Sequence, residues 1–371
     1  MTNGNGKNGH DVAGKPILSP RLAALKAVLP ETGRILIIPH DFPDPDAFAS
    51  AAAMHLLLKE KFHRPSRIVF TGMVSRAENR AMLKHCRYSY TLADRLQLGR
   101  KRPAALVVDG VPWSGRVTVP PGARVVGVID HHPQTRAKQG FEGLMDLRPG
   151  TGASASILYE YLKEAEVPVP AWLAALLLYA IATETMDFSR RFTPLDLEAY
   201  SALLPRANMK ILGEIRHAEL PRSYFALLRD AMDHAQLYGR VAWTHLDAVE
   251  HPEIVPEIAD LLSRIERVTW TFCTAWRGDE MLISLRSSLP TARCGRLLRA
   301  VIGARGNAGG HHNMAAGTID LTGKTPTERE ELREEIVRDL IGWLERRSAE
   351  SEEPLDTQAH PLVEHPIEPI K

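Results

Sequence analysis

The sequence has few of the residues and segments that mark several large classes of protein. It contains 3 cysteines in 371 residues, and none of them forms a CxxC pair. A disulfide framework and a cysteine-type zinc site are therefore not expected, and a reducing compartment is favoured. No apolar run approaches the ~18 residues of a membrane-spanning helix. Because the first residues lack an apolar core, we also expect no signal peptide and predict a cytoplasmic protein.

An excess of charge of one sign is also missing. Lys and Arg number 46 and Asp and Glu number 45, which gives a formal net charge of +1. This balance argues against a protein that coats long duplex nucleic acid. The hydrophobic content of 44% and the charged content of 25% are typical of a soluble globular protein. The length predicts two domains.

Short apolar runs alternate with helical patterns through the first half of the chain, which predicts an α/β fold with a mostly parallel sheet. A second α/β pattern follows and ends in a helix at 325–347, where Thr327 and Glu330 have the spacing of a capping box. The predicted organisation is a flexible tail at 1–17, a first domain at 18–205, a helical linker at 206–223, a second domain at 224–347 and a flexible acidic tail at 348–371.

Three predicted strands of the first domain run directly into acidic or histidine residues. His40–Asp46, with the sequence HDFPDPD, follows the first strand, Asp109 ends another, and Asp130–His132 ends a third. Open parallel sheets place ligands at the carboxyl ends of their strands. Carboxylates and imidazoles suit Mn²⁺, Mg²⁺ or Zn²⁺. The alternatives are an acidic loop in which Asp46 caps a helix, a turn residue at Asp109 and exposed loop histidines.

Two later segments also carry polar groups that suit a site. Glu184 and Asp187 follow a helical apolar segment, where they offer carboxylates or form a solvated loop. The run Gly309–Gly317 places two histidines among glycines and alanines, whose backbone N–H groups can approach an anion closely. Its alternative is a glycine-rich turn.

Arginine is concentrated in the second domain. Eight arginines and three acidic residues lie between Arg264 and Arg305, which suits a phosphate-binding surface or a solvated face. Trp270, Phe272 and Trp276 lie nearby at alternate spacing. They suit either base stacking or one face of a buried strand.

The order of these motifs resembles that of the DHH phosphoesterases with a DHH-associated second domain (DHHA1). In particular, the chain resembles the branch of oligoribonucleases (nanoRNases) and phosphoadenosine-phosphate phosphatases. The resemblance covers about Pro16 to Thr322. It implies a mostly parallel-sheet DHH domain, a smaller α/β DHHA1 domain and an active site in the cleft between them.

The resemblance also implies two divalent ions, most often Mn²⁺. The implied metal ligands are His40, Asp44, Asp46, Asp109, His131 and Glu184. His40 and Asp44 would bind one ion, Asp46 and His131 the other, and Asp109 would bridge them. Glu184 stands where the family has an aspartate, and Asp187 is a second candidate for that ligand. The implied catalytic residues are Asp130, which orients its neighbour, and His132, which faces the phosphate. The implied substrate-binding residues are Arg286, Gly309, Gly310, His311 and His312.

The function implied by this resemblance is a metal-dependent phosphodiesterase or exonuclease. It would hydrolyse very short single-stranded oligonucleotides or linear dinucleotides to mononucleotides, with cyclic dinucleotides and phosphoadenosine phosphate as further candidates. Neither a duplex nor a membrane is an expected partner, and many family members are homodimers. Two alternatives stay open. One is a pyrophosphate or polyphosphate hydrolase, and the other is a non-catalytic nucleotide sensor, because Glu184 replaces an aspartate.

Overall fold

The chain divides into two compact units, Met1–Ala218 and Glu219–Lys371. The computed structural model describes residues 18–72, 74, 76–98, 102–132, 136–310, 312–348 and 360–362. The predicted tails therefore lie almost entirely outside the described residues. Within the described ranges, none of the helices combines the length and apolar character that crossing a bilayer requires.

The first unit alternates strands and helices, as its sequence predicts. Its strands are β1 (Ile35–Ile38), β2 (Ser66–Phe70), β3 (Tyr90–Leu92), β4 (Ala104–Val108), β5 (Arg124–Asp130) and β6 (Leu144–Leu147). Its helices are α1 (Pro20–Val28), α2 (Pro45–Glu60), α3 (Ala77–His85), α4 (Ser154–Glu164), α5 (Ala171–Glu184), α6 (Pro194–Leu203) and α7 (Met209–Arg216).

The six strands form one parallel sheet with the order β3-β2-β1-β4-β5-β6. The chain moves outward from β1 to β3 and then returns to place β4 on the other side of β1. Such a reversal creates a crevice at the carboxyl ends of the two central strands. In this sheet the crevice lies between the ends of β1 and β4.

Both faces of this sheet are covered, which explains why its strands are apolar throughout. Ile35 and Ile37 of β1 pack in the core that contains α2, α4 and α5. Leu36 and Ile38 pack on the opposite face. The central strands are therefore held rigidly, and the residues at their ends have fixed positions.

The second unit contains a mixed sheet with helices on both faces. Its strands are β7 (Gln236–Tyr238), β8 (Val241–Leu246), β9 (Trp270–Arg277), β10 (Glu280–Ser287), β11 (Gly306–Gly310), β12 (Met314–Asp320) and β13 (His360–Pro361). Its helices are α8 (Arg222–Asp233), α9 (Ile254–Leu262), α10 (Cys294–Ile302) and α11 (Pro326–Ser348). The strand order is β11-β12-β10-β9-β8-β7-β13, and β8 and β9 form the parallel pair.

Two details of the second unit differ from, or decide between, the expectations from sequence. The capping box at the start of α11 is formed by Thr325 and Glu328, not by Thr327 and Glu330. The helix begins two residues earlier than the predicted box required. Trp270 and Phe272 are 1% and 0% exposed, so they form the buried face of β9 and do not stack on a base.

Candidate metal centre

Acidic and histidine side chains collect where three neighbouring strands of the first sheet end. His40–Asp46 follows β1, Asp109 follows β4 and Asp130–His132 lies at the end of β5. Because these strands are adjacent and parallel, their carboxyl ends meet at the same edge. β1 and β4 are also the strands between which the order reverses, the usual ligand position in such sheets.

Asp109 links two groups of potential metal ligands. Its Oδ2 lies 3.5 Å from His40 Nε2, and its Oδ1 lies 3.5 Å from His131 Nε2. The ligand atoms of His40, Asp44 and Asp109 lie within 4.8 Å of one another, and so do those of Asp109, His131 and His132. Asp109 is 1% exposed and has a left-handed backbone with a φ of 57°. One buried carboxylate therefore faces two positions at which a cation could be bound.

His131 presents a free ring nitrogen to the surrounding carboxylates. Its Nδ1 lies 3.1 Å from the carbonyl of Thr151 and donates there, so the lone pair of the neutral ring is on Nε2. Among the described residues, the buried Nε2 has no hydrogen-bond partner. It lies 3.5 Å, 3.6 Å and 4.0 Å from carboxylate oxygens of Asp109, Asp46 and Glu184. Metal-binding histidines are held in this way, with the other nitrogen donating to a carbonyl.

Asp46 does not cap its own helix, in contrast to one expectation from sequence. The N-cap of α2 is Asp44, whose side chain accepts from the backbone N–H of Ala47 at 3.0 Å. Asp46 instead accepts from the N–H groups of Ser154 and Ala155, both at 2.7 Å, at the beginning of α4. Each carboxylate oxygen retains a further lone pair, so these bonds fix the carboxylate and leave it able to bind a cation.

Ser154 is a positioning residue to which sequence reasoning assigned no role. Its hydroxyl donates to Asp109 Oδ1 at 2.8 Å, while its N–H donates to Asp46. It lies 45 residues from Asp109 in the chain, so no local motif joins them. The sequence places Ser154 at the start of a helical segment and does not indicate its partners.

Replacing Ser154 by alanine should weaken Mn²⁺ binding by about 10–100-fold, the usual cost of removing a residue that orients a ligand. The change frees Asp109 Oδ1 but removes no metal-binding atom. Isothermal titration calorimetry measures the affinity. Ser156→Ala is the matched control, because Ser156 is buried on the same helix and, among the described residues, its hydroxyl has no hydrogen-bond partner. Equal losses in both variants would contradict a positioning role for Ser154.

Glu184, and not Asp187, lies beside the cluster. Glu184 is the last residue of α5, and its Oε1 lies 4.0 Å from His131 Nε2. The side chain of Asp187 is 83% exposed, and its carboxylate lies 4.0 Å from Arg216. The longer side chain of glutamate therefore places a carboxylate oxygen beside His131.

The crowding of carboxylates changes the pKa values of three residues of the cluster. Burial raises the pKa of Asp46, and the charges of Asp109 and Glu184 raise it further. Burial, with the charges of Asp44 and Asp109, raises the pKa of Glu184 to about 8. For His40, burial alone lowers the pKa, but the carboxylates of Asp44 and Asp109 outweigh it and raise the pKa to about 10. The metal-free cluster therefore retains protons at neutral pH that a bound cation would displace.

These shifts predict a stability that depends on both pH and metal. Glu184 and His40 bind protons more tightly in the folded chain than in the unfolded chain. Their contribution to stability is therefore complete below the unfolded pKa and is lost as pH rises through the folded pKa. We expect the melting temperature in a chelating buffer to fall between pH 6 and pH 9, and Mn²⁺ to raise it more at pH 9. Differential scanning fluorimetry measures these melting temperatures. If Mn²⁺ raises the melting temperature by the same amount at pH 6 and at pH 9, this assignment is contradicted.

Asp130 and His132 form a hydrogen-bonded pair beside the two ligand groups. His132 Nδ1 lies 2.7 Å from Asp130 Oδ1, and Asp130 is 1% exposed. Burial lowers the pKa of His132, but the hydrogen bond to Asp130 and the charge of Asp109 raise it to about 9. The buried carboxylate fixes the orientation of the His132 imidazole.

The predicted substrate-binding residues lie in the second unit. Arg286 on β10 pairs with Asp260 at 2.5 Å and donates to the hydroxyl of Ser284 at 2.9 Å. Gly310 has a φ of 150°, and a Cβ there would lie 2.3 Å from the carbonyl of Met314, so the strand pairing itself requires glycine.

Two further members of this predicted set have no packing role of that kind. At Gly309 a Cβ would meet nothing within 4 Å, which leaves open space beside the strand. His312 is exposed, and its carbonyl accepts from the N–H of Cys294. His311 lies outside the described residues. The substrate-binding role of this set stays a prediction.

A divalent cation fits the first-unit cluster by its chemistry. An isolated buried imidazole lone pair is costly, and several carboxylates at 3.5–4.0 Å from it are too distant to hydrogen-bond well. A cation between these atoms would satisfy both kinds of group. Oxygen and imidazole ligands suit Mn²⁺, Mg²⁺ or Zn²⁺.

Comparison with known proteins gives distant relatives. No family model matches the chain. An uncharacterised protein of Methanocaldococcus jannaschii is 30% identical over 312 residues, which are 83% of this chain and 63% of that protein. A probable manganese-dependent inorganic pyrophosphatase of Streptococcus equi subsp. zooepidemicus is 28% identical over 156 residues, 41% of this chain and 49% of that protein. The chain thus spans less than two thirds of the length of these relatives.

A solved structure identifies the fold. An exopolyphosphatase-related protein from Bacteroides fragilis matches with a TM-score of 0.64 at 16% identity, over 83% of this chain and 92% of that one. The chain has the fold of the DHH family. This DHH fold includes both the six-stranded parallel sheet and the second sheet. The predicted resemblance to the family is confirmed at the level of the fold, and the nanoRNase branch stays a prediction.

Proposed function

We propose that this chain is a two-metal phosphodiesterase that hydrolyses very short oligonucleotides or linear dinucleotides to mononucleotides. The observation that carries the proposal is the position of Asp109. Each of its two carboxylate oxygens lies 3.5 Å from a different histidine, Oδ2 from His40 and Oδ1 from His131. When bound, a pair of divalent cations lowers the pKa of a water molecule and neutralises charge on phosphate oxygens.

The protein's own residues would bind and orient the reacting groups. His40 and Asp44, with Asp109, would bind one cation, and Asp46, His131 and Glu184, with Asp109, would bind the other. Asp130 fixes the ring of His132 through their 2.7 Å hydrogen bond, so that His132 can donate to a phosphate oxygen. Preorganised donors of this kind need no reorientation as charge develops.

We take Mn²⁺ as the cation and a nucleotide as the substrate. The pyrophosphatase relative is described as manganese-dependent, which supports Mn²⁺ over Mg²⁺. Arg286, Gly309, Gly310 and the two histidines that follow would bind the part of the substrate away from the cleaved bond. The concentration of arginines between 264 and 305 suits phosphate groups.

Pyrophosphate hydrolysis is the second candidate function, because the relative just mentioned is named as an inorganic pyrophosphatase. The third is nucleotide binding without turnover, which the replacement of an aspartate by Glu184 suggested. The position of Glu184, 4.0 Å from His131 Nε2, favours a complete ligand set and so favours an enzyme.

The proposal is tested by incubating the purified chain with Mn²⁺ and a 5′-phosphorylated dinucleotide. We expect release of mononucleotides by the wild-type protein and none by Asp109→Asn, which controls for contaminating nucleases. A cyclic dinucleotide, phosphoadenosine phosphate and pyrophosphate are assayed in parallel. A wild-type protein that binds Mn²⁺ but releases no mononucleotide would contradict the proposal. Faster pyrophosphate hydrolysis would favour the second candidate, and tight dinucleotide binding without turnover would favour the third.

A further inference from the structure

Phe42 is an exposed aromatic residue inside the metal-binding loop. It stands two residues after His40 and two residues before Asp44, and its side chain is 64% exposed. Two residues span at most ~8 Å of chain, so the backbone of Phe42 is close to the backbone of both His40 and Asp44. A large apolar side chain in such a position has no evident role in packing the core.

The backbone of Phe42 is held in an unfavourable conformation. Its φ is 53°, in the left-handed region that bulky residues rarely adopt. Its N–H donates to the carbonyl of Thr71 at 2.8 Å, and the N–H of Asp41 donates to the carbonyl of Arg116 at 2.7 Å. The carboxylate of Asp41 also accepts from the N–H and the hydroxyl of Thr118. Strain that is fixed by surrounding contacts in this way is concentrated at functional sites.

The ring of Phe42 rests on a glycine. A Cβ added to Gly72 would lie 2.6 Å, 2.7 Å and 2.8 Å from Cδ1, Cγ and Cε1 of Phe42. Three nearly equal distances to consecutive ring atoms place that point over the face of the ring and not beyond its edge. The backbone at Gly72 therefore supports one face of the ring, while most of the side chain stays exposed to solvent.

We infer that Phe42 is a substrate-binding residue that stacks on a nucleobase next to the cleaved phosphate. The inference rests on the proposed function and specifies it, because pyrophosphate and polyphosphate have no group that could use such a surface. A planar base can cover the exposed ring, and stacking of this kind does not depend on base identity. The rigid loop removes the cost of ordering the ring when the substrate binds.

The test compares substrates with and without a base. A 5′-phosphorylated dinucleotide is assayed beside two analogues, in each of which one base is replaced by hydrogen. Phe42→Asn removes the ring while retaining a residue that tolerates the left-handed region. We expect Phe42→Asn to raise KM for the intact dinucleotide by about 10–100-fold, the range for loss of one base stack, with a much smaller change in kcat. For the analogue that lacks the stacked base, the wild-type protein and the Phe42→Asn variant should have the same KM.

Two further variants complete the design. Phe42→Tyr keeps an aromatic face and should restore the difference between intact and abasic substrates. Phe225→Asn replaces another exposed phenylalanine, on α8 and 56% exposed, and should leave all KM values unchanged.

The outcomes separate the inference from the function on which it rests. If Phe42→Asn impairs the intact and both abasic substrates equally, or lowers kcat alone, the ring only supports the loop and the inference is wrong. If the wild-type protein itself releases no mononucleotide, the proposed function fails, and the inference fails with it.

Discussion

Replacing Asp109 by asparagine should lower kcat by about 10³-fold or more, the scale seen when residues that act as a unit lose a member. Asparagine tolerates the left-handed backbone at this position, where φ is 57°. It can also accept the hydrogen bond from Ser154. The substitution therefore leaves the local fold in place and removes the negative charge that faces both His40 and His131.

Calorimetry with Mn²⁺ and steady-state kinetics measure this effect together. We expect the affinity at both cation positions to fall, because both ligand groups share Asp109. Asp187→Asn is the matched control, since Asp187 is a nearby aspartate that is 83% exposed and whose φ of 51° is also left-handed. It should retain wild-type turnover. An Asp109→Asn protein with most of its activity would show that the carboxylate does not bridge two cations.

Replacing His131 by asparagine should remove one cation and leave the other. The side-chain N–H of asparagine can take the place of Nδ1 and donate to the carbonyl of Thr151. No atom then occupies the position of Nε2, which lies 3.5–4.0 Å from three carboxylates. His40 and Asp44 are unchanged, so we expect one Mn²⁺ per chain instead of two and a fall in kcat of about 10²–10³-fold.

His55→Asn is a suitable control for this variant, because His55 lies on α2 outside both ligand groups and is hydrogen-bonded to Ser66. It should bind two Mn²⁺ ions. If His131→Asn still binds two ions with wild-type affinity, His131 is not a ligand. If it binds none, the two ligand groups do not act as separate positions.

The parts of the fold that could be predicted from sequence are those fixed by local pattern. β1 and β4 are continuous apolar runs, and the polar residues that follow them lie at the sheet edge because parallel strands end together. The positions of His40, Asp109 and His131 at that edge were predictable for this reason, and the metal-binding role proposed for them came from the resemblance to the DHH family.

Contacts between distant segments could not be predicted in the same way. Asp46 accepts hydrogen bonds from residues more than 100 positions later, and no local spacing shows that partnership. The choice between Glu184 and Asp187 depended on where α5 ends, because the direction of each side chain changes at the helix terminus. The strands β3 and β6 were not predicted. They are short and lie at the edges of the sheet, where apolar pattern is weakest.

The central claim is that one carboxylate, that of Asp109, is shared by two divalent cations. The most direct measurement is anomalous X-ray diffraction from crystals grown with Mn²⁺. We predict two anomalous peaks at the carboxyl edge of the first sheet, one on the side of His40 and the other on the side of His131, both within bonding distance of Asp109. A single peak, or two peaks of which only one contacts Asp109, would contradict the two-metal account.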